Sequence, residues 1–474
     1  MFPSRSIACF LETPFMLHAP HRRQFLKTAA LATASVASGV LAQEKPIGTL
    51  VRQDMGVDVL FPRDRVPLSF IIDDSTCLVN MGRFCMPQFA EAWPDRAIYK
   101  KPWRTWPTEI PDAFVREFGE WCGERGVKGK YSVVPNPALV GWLDRELPGW
   151  SRRELQDSLK LVRELMLPNW DIHPEMITHT RVIDLKTGKA IPEISPATME
   201  NSFPQERKSV DEMAAYLAYA LRILKNCDLP CEGVTTPGGF GNAVKSELSR
   251  AVHEAVREVY QAEIPHYFKY VSEGEESTEP KLEHVSGVGT RDLQLTVNVP
   301  AGTGDWFGGW DGDETSQGER YANREATAGR MVELIEQHRP AVMLCHWPGM
   351  YTHGTKAGFH QFQQVVTALE ERFRDQTDWM KVSEMARYWA AKGLTEIRRE
   401  TNVISLKAPF AAPNFTLRIA APASATPRMT SDGKVMALKE AASRVDLAAG
   451  RWWRDKEGVV ICFDLPRGDT TIQL

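Results

Sequence analysis

Short apolar, β-branched runs alternate with long amphipathic segments from about residue 66 onward, and this alternation limits the possible folds more than any other feature of the chain. Strands are expected at 66–72, 130–134, 170–177, 233–236, 266–271, 293–299 and 341–346, with helices between them. Two helices open on capping-box signatures, Ser151 with Glu154 and Ser209 with Glu212. Such alternation implies an α/β fold with a parallel sheet, and seven or so repeats imply either a barrel or a doubly wound sheet. In both, chemistry sits at the carboxyl ends of the strands. Those ends are where the sequence concentrates Asp, His and Gly.

Two interruptions break the pattern. Residues 76–111 form a long insertion after the first strand, carrying Trp93, Trp103 and Trp106, and are expected to fold over the mouth of a site. After 383–392, a last amphipathic helix, the chain changes to alternating runs such as 414–419 and 459–463, punctuated by Pro and Gly. This predicts a domain at 43–395 followed by a small β-domain at 396–474.

The first 42 residues read as an address rather than as fold. Residues 21–42, HRRQFLKTAALATASVASGVLA, place Arg22 and Arg23 before a small-residue apolar run and an A-x-A-like cleavage site. The string resembles a twin-arginine export signal, with Met16 as the expected start. The apolar run is too short for the roughly 20 residues a membrane span needs, so no stable anchor is expected after the leader is removed, and the product is expected in the periplasm or outside the cell. Seven cysteines follow the leader, at 77, 85, 122, 227, 231, 345 and 462; their odd number forbids complete pairing, although Cys77–Cys85 or Cys227–Cys231 bridges are possible in an oxidising compartment.

With 43% hydrophobic and 25% charged residues, the chain has the composition of a soluble globular protein. A net charge of only −4 argues against nucleic acid as a partner. The 14 tryptophans suit either a large core or a saccharide ligand, since indole stacks on sugar C–H faces and keeps its N–H free to bond hydroxyls.

The candidate chemistry lies at strand ends. The first strand, VPLSFIID, runs into Asp73-Asp74, and adjacent buried acids call for a cation or a shared proton. The third runs through His173 and Glu175 to His179-Thr180, whose imidazoles suit a divalent metal such as zinc, nickel or cobalt. After the fourth come Pro237-Gly238-Gly239, a turn that lets backbone approach a ligand. His346 ends the last strand, before Trp347, and is placed for general-acid work.

In that order these pieces resemble the polysaccharide deacetylase superfamily, the NodB-like carbohydrate esterases with a distorted (β/α) barrel, over about residues 66–392. The resemblance implies Asp73 as general base, Asp74 and His179 as metal ligands, and His346 as general acid. It sets Glu175 ahead of His179-Thr180 as the second motif, matches Thr235, Pro237 and Gly239 to the third, Asp305-Trp306 to the fourth, and Val342, Leu344 and His346 to the fifth. Glu175, Pro237, Gly239, Asp305, Trp306, Leu344 and Trp347 are then expected along the substrate. Two positions depart from the pattern: Ile183 stands where a second metal-binding histidine belongs, and Thr235 where an arginine does. His173 is the expected replacement ligand.

The function this implies is metal-dependent removal of acyl groups from a saccharide. Two other classes compete. Glycoside hydrolysis needs two carboxyls about 5–9.5 Å apart and no metal; Asp73 or Asp74 with Glu175, Asp305, Asp311, Asp313 or Glu314 are candidates. A non-catalytic carbohydrate-binding protein would keep the cleft and tryptophans without the metal.

Overall fold

The computed structural model describes residues 51–422 and 424–474, so the leader lies outside the described residues. In chain order the elements are β1 (Val57–Val59), β2 (Val66–Asp73), α1 (Met81–Ala92), α2 (Asp112–Glu124), β3 (Gly129–Ser132), α3 (Arg152–Leu161) and β4 (Trp170–His173). A two-residue pair follows, β5 (Ile183–Asp184) and β6 (Lys189–Ala190), then α4 (Val210–Asn226), β7 (Gly233–Thr235), α5 (Lys245–Tyr260) and β8 (His266–Phe268). Next come β9 (Lys281–Ser286), β10 (Gln294–Asn298), α6 (Arg330–Glu336), β11 (Ala341–His346), α7 (Trp347–Tyr351), α8 (Ala357–Phe373), β12 (Thr377–Trp379) and α9 (Val382–Leu394). Both capping boxes form: Ser151 and Ser209 each accept from the backbone of the glutamate three residues on, which accepts in return.

The seven expected strands are present, all parallel, but in two sheets rather than one closed ladder. One sheet runs β11-β2-β3-β4, with β12 also against β2; the other runs β7-β8-β10, with β9 antiparallel at its edge. The sheets meet at two seams, each spanned by a single parallel bridge, Glu175 with Thr235 and Asp305 with Leu344. Several strands are also shorter than expected. The 170–177 strand stops at His173 because Pro174 has no N–H for the ladder, and Met176 and His179 take left-handed backbone conformations.

All eight residues of β2 are buried, as in a parallel strand covered on both faces. Its neighbour β3 approaches so closely that a Cβ on Gly129 would collide with the Phe70 backbone.

From Glu396 onward the chain builds two five-stranded sheets. The strands are β13 (Glu396–Glu400), β14 (Val403–Ala408), β15 (Ala412–Ala420), β16 (Arg428–Ser431), β17 (Lys434–Met436), β18 (Lys439–Glu440), β19 (Arg451–Arg454), β20 (Gly458–Leu465) and β21 (Gly468–Gln473). The sheet orders are β1-β15-β20-β19-β18 and β13-β14-β21-β16-β17. The change of periodicity near residue 395 thus marks a change of element type. The β-region also takes β1 from the other end of the sequence, with Val57 opposite Ile419 and Val59 opposite Leu417. Tyr388 of α9 ties the parts together: its hydroxyl donates to Leu60 O at 2.7 Å and accepts from Thr416 N at 3.2 Å. The described residues form one compact unit.

The seven post-leader cysteines are all free and buried. Cys77 lies beside Ser158 and Asp112, whereas Cys85 lies beside His179, so that bridge does not form.

Two glycine substitutions test the packing. Gly129→Ala is expected to cost about 2–4 kcal/mol, because β2 and β3 must separate. Gly123→Ala, in exposed α2 with open space around it, is expected to gain about 0.5–1 kcal/mol from helix propensity. Urea unfolding of both variants checks the contrast.

Candidate active site

The end of β2 fixes the centre of the site. Asp73 is its last ladder residue, and Asp74 follows with φ +56, a conformation aspartate tolerates better than most residues. The Asp74 N–H donates to Glu175 Oε2 at 2.8 Å, joining the ends of β2 and β4 across β3. His179 Nε2 then stands 2.7 Å from Asp74 Oδ1 and 3.4 Å from Glu175 Oε1. One donor atom from each of the three lies within 4.8 Å of the others, and all three residues are buried.

This triad fits a divalent metal. Both Asp74 carboxylate oxygens are buried without an aligned hydrogen bond, although His179 stands within contact distance. An uncompensated buried carboxylate is costly, and a cation relieves it. Two carboxylate oxygens and one imidazole nitrogen are donors that zinc, nickel or cobalt accepts, with further positions left for water or substrate. Burial lowers the His179 pKa, but Asp74, Cys85 and Glu175 together raise it well above the usual value. A proton on His179 and a metal ion therefore compete for the same negative charge, so metal uptake should release a proton.

Sequence reasoning placed Asp74 and His179 here but made His173 their partner. The structure corrects that assignment. His173 points into the strand interior, where its Nε2 meets His266 Nε2 at 3.0 Å and its Nδ1 lies 3.4 Å from Thr235 Oγ1. Burial drives the pKa of both histidines down and keeps them neutral. The third donor is Glu175, expected instead on the substrate side. Ile183 lies in β5 as an apolar core residue.

Asp73 has a partner the sequence reading missed. Fully buried Lys130, on β3, forms an ion pair with Asp73 Oδ1 and donates to Ile72 O at 3.1 Å and Ser132 Oγ at 2.9 Å. Burial and the Glu175 charge raise the Asp73 pKa, while Lys130 and His346 oppose them. Lys130 thus supplies beside Asp73 a cation that Thr235 cannot. Its signal in the sequence was a lysine at the head of a strand expected to be buried.

Opposite lies His346, the last residue of β11. Its Nδ1 is 2.7 Å from Asp305 Oδ2, across the second seam. Burial pushes the His346 pKa down, but Asp305, Asp74 and Asp73 raise it to about 10, so the ring is cationic at neutral pH. Tyr321 holds this seam, its hydroxyl donating to Leu344 O at 2.6 Å and accepting from Trp306 N at 2.8 Å. Trp306 is half-buried under the Arg320 guanidinium, 4.1 Å from the ring centre. Trp347 lies elsewhere than expected. It is buried in the aromatic core, with ring centres 4.8 Å from Phe114, 5.2 Å from Phe118 and 5.4 Å from Tyr131, so it packs rather than facing a ligand.

A buried acid with no sequence signature shapes the metal loop. Glu200 accepts the backbone N–H groups of Ile177, Thr178 and His179 at 3.1, 2.9 and 2.6 Å, together with the Tyr216 hydroxyl. The loop Pro237-Gly238-Gly239 braces this segment in turn, through Gly239 N to Asn201 O at 2.7 Å and Gly241 N to Phe203 O at 2.8 Å. Pro237 and Gly239 therefore support the loop that carries His179.

The 76–111 insertion covers the triad. On α1, Cys85 and Phe89 lie against His179, with the Phe89 ring centre 6.2 Å from the imidazole. The Lys101 ammonium fastens the insertion to buried Asp311 at 2.6 Å. Asp311, a candidate glycosidase acid, is thus committed to a structural ion pair.

No family model matches this chain, and no curated protein does. Thirteen solved chains match. One is 4-alpha-glucanotransferase from Thermococcus litoralis, with 14% identity and a TM-score of 0.35 over 68% of this chain. The chain covers 40% of that protein's length. Another is endo-glycoceramidase II from Rhodococcus sp. in a cellobiose-like isofagomine complex, with 8% identity and a TM-score of 0.22 over 89% of this chain and 99% of that one. At these scores neither likeness bears on function, which rests on the site itself.

Asp74→Ala, Glu175→Ala and His179→Ala are each expected to lower affinity for zinc, nickel or cobalt at least about tenfold, roughly 1.4 kcal/mol. Glu200→Ala is expected to do the same without touching a ligand, because it releases the backbone that positions His179. His173→Gln should stay within about threefold of wild type. Competition against a fluorescent chelator measures all five.

Proposed function

We propose that this chain is a metal-dependent hydrolase that removes acyl groups, acetyl foremost, from a saccharide or related substrate, as a divergent member of the polysaccharide deacetylase superfamily. On this reading the two sheets are an opened seven-stranded (β/α) barrel. The observation that carries the reading is the convergence of Asp74, Glu175 and His179 beside a lysine-paired Asp73 and an aspartate-paired His346.

When bound by Asp74, Glu175 and His179, a divalent metal would supply Lewis-acid polarisation of an acyl carbonyl and make water a better nucleophile at neutral pH. Asp73 takes the proton that attacking water loses. Lys130 holds its carboxylate in place and offsets the burial that would otherwise neutralise it. His346 stands on the other side of the site with Nδ1 committed to Asp305, so its Nε2 proton is the one available to a departing oxygen or nitrogen. Water adds, the acyl bond breaks, and the saccharide leaves with the proton from His346. The covering insertion excludes bulk water, which strengthens each of these electrostatic effects.

The twin-arginine-like leader read from the sequence supports activity in the periplasm or outside the cell. Among the described residues no helix is long and apolar enough to cross a membrane.

Asp73→Asn is expected to lower kcat for acetate release from acetylated oligosaccharides by at least about a thousandfold while leaving metal content unchanged. Release of new reducing ends, with no acetate and no dependence on metal, would instead favour the glycosidase reading.

A second prediction follows from the His346–Asp305 pair. The cationic ring is the active acid, so activity falls as pH rises through its pKa. Asp305→Asn removes the charge that helps hold His346 near 10, so the alkaline limb of kcat/KM should move to lower pH by about one unit or more. A pH–rate profile with an unmoved alkaline limb would remove His346 from the role of acid.

A further inference from the structure

Each parallel strand delivers a residue to the mouth just past its last ladder position; Asp74 follows β2 in this way, and Lys269 follows β8. Lys269 is only 8% exposed, and its Nζ donates to one carbonyl, that of Phe240. Phe240 directly follows the Pro237–Gly239 turn that braces the metal loop. A second ammonium, that of Lys245 in the first turn of α5, lies 5.8 Å from the Tyr270 ring centre, the same separation as Lys269. Among the described residues, neither lysine has a carboxylate within ion-pair distance.

This arrangement costs folding free energy. A buried ammonium without a counter-ion is disfavoured, and apolar side chains of similar volume commonly stabilise such positions. Burial and the Lys245 charge together push the Lys269 pKa down to about 8. Local costs of this kind gather at functional sites, where a ligand supplies what the fold withholds. An ammonium has three donors, and Phe240 takes one, leaving two for an oxyanion.

We propose that Lys269 and Lys245 form an oxyanion-binding subsite at the carboxyl edge of β8, taking a carboxylate or phosphate group carried by the substrate. That the anion belongs to the substrate rests on the hydrolase reading; anion binding itself does not. The subsite narrows the substrate from any acylated saccharide to an anionic one.

Calorimetric titration of the wild-type protein and of Lys269→Met and Lys245→Met tests this, with a galacturonate trimer, inorganic phosphate and a neutral N-acetylglucosamine trimer as probes. At least one anionic probe is expected to bind wild type, at least tenfold more weakly to Lys269→Met and at least threefold more weakly to Lys245→Met, and to lose affinity with added salt. Binding of the galacturonate trimer alone assigns a carboxylate, and binding of phosphate alone assigns a phosphate. Lys269→Met should melt at or above the wild-type temperature, because it removes a buried charge. The proposal is overturned if neither anion binds wild type, if both variants bind as wild type does, or if Lys269→Met melts well below wild type while Lys245→Met binds normally. Should Lys269→Met fail to fold, the exposed Lys245→Met decides the matter, and unchanged affinity overturns the subsite. Anion binding without any metal-dependent acyl release retires the hydrolase reading and leaves the subsite standing. Hydrolysis of neutral and anionic substrates with equal KM does the reverse.

Discussion

The balance of charge in the buried mouth is the constraint on which the rest of the structure depends. Four carboxylates, from Asp73, Asp74, Glu175 and Asp305, converge where strand ends exclude water. Lys130 and protonated His346 answer two of them. A proton on His179 leaves one negative charge over, whereas a divalent metal on neutral His179 leaves none. In a low-dielectric site that difference matters, because an uncompensated buried charge costs several kcal/mol. On the proposed reading the cluster is a metal site completed by two fixed cations.

Holding such a cluster together requires backbone that regular elements cannot supply. The residues that turn the triad inward, Asp74, Met176 and His179, all occupy left-handed conformations at strand ends. Buried Glu200 offsets that strain by gathering three consecutive N–H groups of the 177–179 loop, and the 237–241 turn holds the segment that carries Glu200. The support therefore runs from β7 through Asn201 and Glu200 to His179. Burial raises Glu200 to about 7 even against these bonds, so its grip on the loop is strongest above neutral pH, where the carboxylate is ionised, and weakens as pH falls through that value.

What the sequence made legible follows a physical division. Alternating periodicity located all seven parallel strands, because apolar runs buried on both faces leave a direct compositional trace, and β2 is buried along its whole length. Asp73, Asp74 and His346 were legible because they sit at strand ends, where the fold dictates position without tertiary detail, whereas His179 and Asp305 lie in loops beyond β4 and β10 and were assigned through the motif resemblance. His173 misled because a histidine near a strand end was the nearest substitute for Ile183, whereas its ring pairs with His266 in the interior, away from the triad. Trp347 misled for a different reason: an indole beside His346 satisfies a sugar-binding expectation and a core position equally well, and only the rings of Phe114, Phe118 and Tyr131 decide between them. Glu200 left no trace at all, since it lies in irregular chain and its partners are backbone groups.

On the proposed deacetylase reading, Ile183 and Thr235, the two positions that depart from the pattern, each have a neighbour in space that supplies a charged group. Ile183 removes an imidazole, and Glu175, four residues before His179, brings a carboxylate to the same imidazole from the end of β4. Thr235 removes a cation, and Lys130 brings one from β3 to the carboxyl beside the triad. Glu175 follows β4 and Lys130 lies on β3, yet both bring their charge to the same small volume beside Asp73. A donor set of two carboxylates and one imidazole is one unit more negative than one carboxylate with two imidazoles, and harder in its chemistry, which favours oxygen-loving cations. The Glu175 charge acts on Asp73 and raises its pKa, so the buried lysine is the electrostatic complement of that glutamate. Glu175 and Lys130 are therefore coupled through Asp73: the glutamate charge raises its pKa and the buried ammonium opposes that rise.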